Sequence, residues 1–302
     1  MNKIIVVAGA TGNLGGRIVR NLIERGAEVR VIVRPGSEIE KITKLEKLGA
    51  HVFKINMSSE DEISKVCNGA SCVVSALQGL HDVIVDTQKV LLDAAIAAGV
   101  SRFIPSDYST DFTLLTPGEN RNFDLRREFH TYLDKSLISS TSIFNWAFAE
   151  ILAYNTPMLD MKKKSVGYWG ENPDWHLEFT TMDDTAAYTA AAALDDHTPG
   201  KLSIASFRVS PNEMVAMASE ITHTAFQLIP MGSLSQFAAY IKSERAANPQ
   251  GENELNPRWQ SAQYMHGMFS VQHEMLDNSR YPDIKWTSSK EFITSLFNRI
   301  KQ

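Results

Sequence analysis

Along the first half of the chain, short apolar runs alternate with longer stretches whose apolar residues recur every three or four positions. The runs KIIVVA (3–8), EVRVIV (28–33), HVFKI (51–55), SCVVSA (71–76), RFIPS (102–106) and TSIFNW (141–146) predict six strands. After the first of them, GNLGGRIVRNLIERG places Leu14, Ile18, Leu22 and Ile23 on one side at helical spacing. DVIVDTQKVLLDAAIAAG predicts a further helix, ended by Gly99. Strands that are apolar throughout, separated by helices, imply a parallel sheet buried on both faces. The expected fold is therefore α/β, with a doubly wound parallel sheet.

Beyond residue 155 the rhythm changes. SVGYWG and WHLEFT read as paired extended segments, and MDDTAAYTAAAALDD as a helix with acidic residues in its first turn. KLSIAS reads as a strand, and SPNEMVAMASEIT as a helix with Pro211 near its start. The polar, Pro- and Asn-containing stretch 246–262 predicts a loop able to close over a ligand. Ser288, with Glu291 three residues on, predicts a capping box at the last helix. Two parts are expected: a nucleotide-binding domain at 1–155 and a smaller mixed α/β part at 156–302 that covers a substrate. The chain of the second part has room to interleave with the first.

Composition excludes several classes. The net charge is −5, and no basic stripe marks a nucleic-acid binder. Lys162, Lys163 and Lys164 form the densest basic spot, read as a solvated turn. The two cysteines, Cys67 and Cys72, have no second pair or nearby histidine; they make neither a zinc site nor a disulfide framework, and they fit a reducing compartment. The apolar stretch from Ile4 to Ala8 is shorter than the roughly 7–15 residues of a signal-peptide core. No run approaches the roughly 18 apolar residues of a membrane span. These features lead to the expectation of a cytoplasmic protein without bound metal.

The candidate chemistry begins at Gly9, Gly12 and Gly15, which directly follow the first strand and open a helix. That setting is the one a dinucleotide fingerprint requires. Gly9 permits the tight turn, Gly12 lets the backbone approach a pyrophosphate, and Gly15 lets the helix pack close to the strand, in a Rossmann-type arrangement. The second strand ends in Arg34, where a cofactor with a free ribose 2′-hydroxyl usually meets an acid. A guanidinium there pairs with a 2′-phosphate instead, so the expected cofactor is NADP(H). Lys41 or Lys44 adds charge nearby, or is simply an exposed helix lysine.

GATGNLG, VIVRP, VVSALQG, RFIPSDYSTDF and EFTTMDDTAAYTAAAALDD resemble the NmrA-like and isoflavone-reductase-like group of atypical short-chain dehydrogenases, over roughly residues 1–240. The resemblance implies a reductase or an NADP-binding sensor with its cleft at the C-terminal edge of the sheet. It implies that Gly9, Thr11, Gly12, Asn13, Leu14 and Gly15 meet the pyrophosphate and Arg34 the 2′-phosphate. By the same resemblance Ser75, Ala76, Leu77 and Gln78 line the adenosine side. Pro105, Ser106, Asp107 and Tyr108 then lie near the nicotinamide, with Asn145 and Phe148 after the sixth strand.

The catalytic apparatus departs from the pattern. The Y-x-x-x-K pair of ordinary short-chain dehydrogenases is absent, since the fourth residue after Tyr108 is Phe112. The resembling reductases carry a lysine in the helix after the PSD loop, and counting back from TSI puts Arg126 there. Arginine stays charged and is a poor proton donor, although it can stabilise an oxyanion. Lys135, nine residues on, lies about 180° round the helix. His130, four residues on, shares the face of Arg126 and is either a proton donor or a partly exposed helix histidine. Tyr108 either donates a proton or packs against a ring.

Weaker candidates are read as structural. His266 and His273 lack a carboxylate to complete a metal set, and Asp183 and Asp184 serve a helix N-terminus. Trp169, Trp175, Trp259, Tyr264, Met265 and Met268 either wall an aromatic pocket or form core. Two functions follow. One is an NADPH-dependent reductase acting on a small aromatic or conjugated carbonyl or quinone; the other is an NADP(H)-sensing regulator that binds a protein partner.

Overall fold

A computed structural model of the chain describes residues 2–154 and 156–300. β1 (Ile4–Ala8) lies at the centre of a six-stranded sheet. On one side stand β2 (Glu28–Val33) and β3 (His51–Lys54); on the other stand β4 (Cys72–Ser75), β5 (Arg102–Ile104) and β6 (Ser139–Ser140). The order is β3-β2-β1-β4-β5-β6 and every pairing is parallel. The crossovers carry α1 (Asn13–Glu24), α2 (Ile39–Leu48), α3 (Glu60–Cys67), α4 (Gln88–Ala97) and α5 (Arg121–Leu133). Alternate residues of each strand feed two different cores, as the pleat requires. Ile5 and Val7 pack with Ile18, Val19 and Leu22 of α1, whereas Val6 and Ala8 pack with Leu91, Ala95 and Phe129 of α4 and α5. This double burial is why the strands read as unbroken apolar runs.

Several segments differ from expectation. The extended run near 141–146 begins earlier, at Ser139, and divides its partners. β6 pairs with β5, and β7 (Ser142–Phe144) pairs in parallel with β11 (Lys201–Ser203). It stops at Phe144, because Trp146 takes a left-handed φ of 60° that no strand accommodates. The fifth strand ends at Ile104, before Pro105, which has no N–H for the ladder. The helix expected from Asp82 starts as a wide π-type turn, Asp82–Thr87, before α4 proper.

SVGYWG and WHLEFT do not pair with each other. β9 (Ser165–Tyr168) joins β13 (Gln227–Pro230), while β10 (Leu177–Thr180) lies between β8 (Ala147–Phe148) and β12 (Phe207–Val209). The chain after 156 also returns to the first layer: α6 (Met182–Leu194) packs along α1, and β11 pairs with β7, which directly follows the edge strand β6, in a separate two-stranded sheet. Residue 155, the expected boundary, lies outside the described residues.

α7 (Pro211–Thr222) starts on Pro211 with a capping box between Ser210 and Glu213. The expected box before α10 (Ser289–Ile300) is present: the Glu291 N–H donates to Ser288 Oγ at 3.3 Å, and the Ser288 N–H to Glu291 Oε2 at 2.9 Å. The loop expected at 246–262 is shorter, because α8 (Leu234–Ala247) and α9 (Arg258–Ser270) intrude on both ends of it. What remains is turned tightly over Pro249–Asn253.

That segment is fastened to the start of α5. Arg121, buried, donates from Nη1 to the carbonyls of Gly251 and Glu252, both at 3.1 Å, and from Nη2 to those of Glu254 (3.1 Å) and Leu255 (3.3 Å). Its Nε–H goes to Asn122 Oδ1 at 3.0 Å, so all five donors are engaged. The guanidiniums of Arg121 and Arg245 both lie over the Trp259 ring, at 4.9 and 4.8 Å. From α9, Gln260 donates to Asn120 Oδ1, the N-cap of α5, and Gln263 accepts from the Arg121 N–H.

Arg121→Ala leaves four carbonyls without their charged donor and is expected to cost about 2–4 kcal/mol, read as a lowered urea midpoint. Arg121→Lys should recover less than half of that, since one ammonium cannot span four acceptors. An unchanged midpoint in the alanine variant would contradict the clamp.

Candidate active site

The site is built at the C-terminal edge of the sheet, where the strand order reverses between β1 and β4. Gly9 takes φ +83°, and a Cβ on it would lie 2.4 Å from the Ala76 carbonyl oxygen. A Cβ on Gly15 would lie 2.3 Å from the Gly9 carbonyl oxygen. Only glycine fits either place. The Gly12 N–H closes the turn onto the Gly9 carbonyl at 3.0 Å, and Gly12 then caps α1 with no side chain to offer. The first-turn amides of Asn13, Leu14 and Gly15 are thus left for an outside acceptor, beside half-buried Thr11. A glycine-lined helix N-terminus with uncapped amides fits a pyrophosphate.

The loop after β4 forms the adjoining wall. The Ala76 N–H donates to the Ala8 carbonyl at 2.9 Å, which holds Ser75–Gln78 against the glycine turn. Ser75 Oγ is buried with no hydrogen-bond partner among the described residues. Arg34 is exposed at the end of β2 and faces no carboxylate among the described residues. Lys41 is instead paired with Glu38 at 2.7 Å, on the solvent side of α2. Of the two, Arg34 is the one available to a 2′-phosphate.

Ser106 joins the loop after β4 to α5. Its N–H donates to Gln88 Oε1 at 2.9 Å, and its hydroxyl donates to the Leu77 carbonyl at 2.5 Å. Its own carbonyl accepts from Arg126 Nε at 3.0 Å. Arg126 Nη1 donates to the Asn122 carbonyl at 2.9 Å, one turn back on α5. The half-buried guanidinium therefore stands at the sheet edge beside Pro105 and Ser106. Gln88 has no signal in the sequence; it matters because its amide also donates to the Ile84 carbonyl within the wide turn before α4.

The structure places the other two catalytic candidates differently. His130 is four-fifths buried, with Nε2 2.7 Å from Asp107 Oδ2 and Nδ1 3.6 Å from Asp134. Burial pushes its pKa down, but Asp107 and Asp134 together outweigh that, and the net shift is upward. Asp107, fully buried, also accepts from Ser142 Oγ on Oδ2 at 2.7 Å, while its Oδ1 has no partner among the described residues. The ring lies edge-on to Phe112 at 5.4 Å. Tyr108 packs in the core with Ile104, Ile143 and Ala186, its enclosed hydroxyl beside Thr189 and its pKa pushed up by burial. A tyrosine enclosed there packs; it does not face the cleft.

Beyond β7, Asn145 is buried, donating to Thr185 Oγ1 at 3.3 Å while its Oδ1 has no partner among the described residues. Half-buried Phe148 follows in β8. Glu150 carries no signal in the sequence; its Oε1 accepts from the Met182 N–H at 2.9 Å, its Oε2 is buried without a partner among the described residues, and burial raises its pKa.

The remaining candidates are structural. Trp169 stacks on Phe237 at 4.3 Å, Trp175 donates to the Met268 carbonyl, and Tyr264 accepts from Asn122 Nδ2. His273 meets Ser203 and the edge of Trp146. Asp183 pairs with Arg17, and Asp184 accepts from the Thr287 N–H. Both cysteines are free, buried and pushed up to about 12 by that burial. Among the described residues no group of three His, Cys, Asp or Glu side chains could hold a metal ion, and no helix is long and apolar enough to cross a membrane.

The profile of the NmrA-like family matches residues 1–255, and the chain belongs to that family. Pinoresinol reductase 2 of Arabidopsis thaliana is 26% identical, the match covering 96% of this chain and 95% of the relative. The bifunctional pinoresinol-lariciresinol reductase of Linum usitatissimum is also 26% identical, over 96% and 97%. The structure of AtPrR2 with NADP+ and (+)pinoresinol matches with a TM-score of 0.81 at 25% identity, over 98% of this chain and 99% of that one. An isoflavone reductase at 18% identity shares the fold, also with a TM-score of 0.81.

Two outcomes follow from this geometry. Arg34→Ala should weaken NADPH binding about 10- to 100-fold and leave NADH binding unchanged, measured by quenching of protein fluorescence. Equal losses for both cofactors would remove Arg34 from the 2′-phosphate site. His130 has a native pKa above its ordinary value of 6.5, so its ion pair contributes fully below that pH and fades as pH rises through the native value. The stability gap between wild type and His130→Gln should therefore narrow as the pH rises above 6.5 in urea unfolding. A gap that stays constant would mean the histidine is neutral in the native state.

Proposed function

We propose that the protein is an NADPH-dependent reductase that delivers hydride to a small aromatic or conjugated acceptor, of the carbonyl or quinone type. The observation that carries this reading is the Ser106 junction, which fixes a cofactor wall and a cationic side chain at one sheet edge. Relatives named as pinoresinol and pinoresinol-lariciresinol reductases, matched over 95% and 97% of their length, support it. None of these observations favours the sensor alternative. Bound NADPH supplies the hydride.

The chain's own residues supply position and charge. The uncapped turn of α1 and Gly9–Gly15 receive the pyrophosphate, Arg34 the 2′-phosphate, and Ser75–Gln78 the adenosine side. Pro105, Ser106, Asn145 and Phe148 border the nicotinamide end. Arg126 presents a permanent positive charge to the acceptor oxygen that becomes anionic when the hydride arrives; it exchanges no proton, and water supplies the proton that completes the reduced product. His130 and Asp107 hold the loop after β5 in place. The free, buried cysteines support a reducing location, the cytoplasm.

The test is acceptor-dependent oxidation of NADPH, followed optically against quinones, aromatic aldehydes and enones. Turnover is expected with part of the panel. Arg126→Ala should lower kcat about 10²- to 10³-fold while NADPH affinity stays within about threefold. Tight NADPH binding without turnover on any acceptor would contradict the reductase.

A further inference from the structure

Asn145 and Glu150 reach the same helix turn from opposite ends of β8. Thr185 Oγ1 gives its one proton to the Thr181 carbonyl at 2.9 Å, so toward Asn145 it accepts. The Asn145 amide nitrogen therefore points at Thr185, at 3.3 Å, and Oδ1 is left buried without a partner among the described residues. Phe148 pairs with Thr180 where β8 runs beside β10, so two residues later Glu150 stands at Met182, the first residue of α6. Its Oε1 accepts from the Met182 N–H at 2.9 Å, which serves the helix end; Oε2 is buried and meets no donor among the described residues. Met182 and Thr185 are three residues apart on one side of the turn, so the two side chains are anchored side by side.

The turn that anchors them adjoins the glycine cradle. Arg17 of α1 pairs with Asp183, and its Nε donates to Asn13 Oδ1, at the head of α1, at 3.0 Å. Ala147, Phe148 and Glu150 are half-buried, so the segment borders the surface. Two acceptor oxygens left dry and unpaired are costly, and a group that carries two N–H donors on one nitrogen satisfies both. Burial raises the pKa of Glu150, and an N–H donated to its free oxygen favours the charged form again.

We infer that Asn145 Oδ1 and Glu150 Oε2 accept the two N–H groups of the nicotinamide carboxamide, and so determine which face of the ring is turned to the acceptor. Two acceptors on one side of the ring prevent its rotation about the bond to the ribose, so a single face is offered. This rests on the reductase reading for its cofactor, but its test needs binding alone. The probes are NADP+, its 3-acetylpyridine analogue, in which a methyl group replaces the amide nitrogen, and adenosine 2′,5′-bisphosphate, which lacks the nicotinamide end. The first two carry the same ring charge and differ in the N–H groups. Each is titrated by calorimetry into the full-length protein, in wild type, Glu150→Gln and Glu150→Ala.

Wild type should bind NADP+ at least about 10-fold more tightly than the analogue. In Glu150→Gln either orientation of the amide sets a donor against an N–H, at Met182 or at the ligand. The preference should therefore fall below about threefold, as in Glu150→Ala, with affinity for the bisphosphate within about threefold of wild type in both. A preference that survives in either variant would overturn the inference. Equal binding of NADP+ and the analogue by wild type would overturn this inference alone. Wild type that binds neither NADP+ nor the bisphosphate would overturn the cofactor reading and this inference with it.

Discussion

Two stretches of backbone approach each other at the head of β1 more closely than any side chain allows, and the rest of the site is arranged around that approach. The Gly9 turn is pressed against the Ala76 carbonyl, and α1 is pressed at Gly15 against the Gly9 carbonyl. Because there is no Cβ at either place, the helix N-terminus can stand directly over the sheet edge at the point where strand order reverses. A methyl group at Gly15 would push α1 away from β1, and with it the packing of α1 on α6. One steric condition thus sets both the position of the α1 N-terminus and the way the second half of the chain docks on the first.

From that point the structure is a sequence of backbone attachments. The loop after β4 is tied to β1 through Ala76, and the loop after β5 is tied to it through Ser106. Arg126 is held by Ser106 and Asn122, and the turn that contains Asn122 is held by α9 and the 248–257 segment through Arg121, Gln260 and Gln263. Buried carbonyls and amides need partners, and here those partners reach from one half of the chain into the other. The C-terminal part therefore has a structural task in the first half. It secures the first turn of the helix that carries the cationic residue.

Features with a local physical cause were legible in the sequence. The apolar runs revealed a sheet buried on both faces, because pleating sends Ile5 and Val7 one way and Val6 and Ala8 the other. The glycine turn, and the place of Arg34 after β2, were legible because each follows directly from position next to a strand end. Arg126 was placed from the motif that surrounds it. The partners of His130 were not legible, since Asp107 lies 23 residues away and on another element. Nor was the Arg121 clamp, whose acceptors are main-chain carbonyls 130 to 134 residues distant, and any residue type carries a carbonyl. Composition made 246–262 look like a free loop; Trp259 and its two guanidiniums, which decide otherwise, act only through tertiary contact.

The central claim is direct hydride delivery from NADPH to an aromatic acceptor at this sheet edge. Its most direct measurement is a single-turnover reaction with an aldehyde or enone acceptor, on which the hydride ends at carbon, using NADPH deuterated at either face of nicotinamide C4, followed by mass spectrometry of the product. The account predicts that one of the two labels, and not the other, appears as a single deuterium on the reduced acceptor. Product free of deuterium from both labelled forms would contradict it.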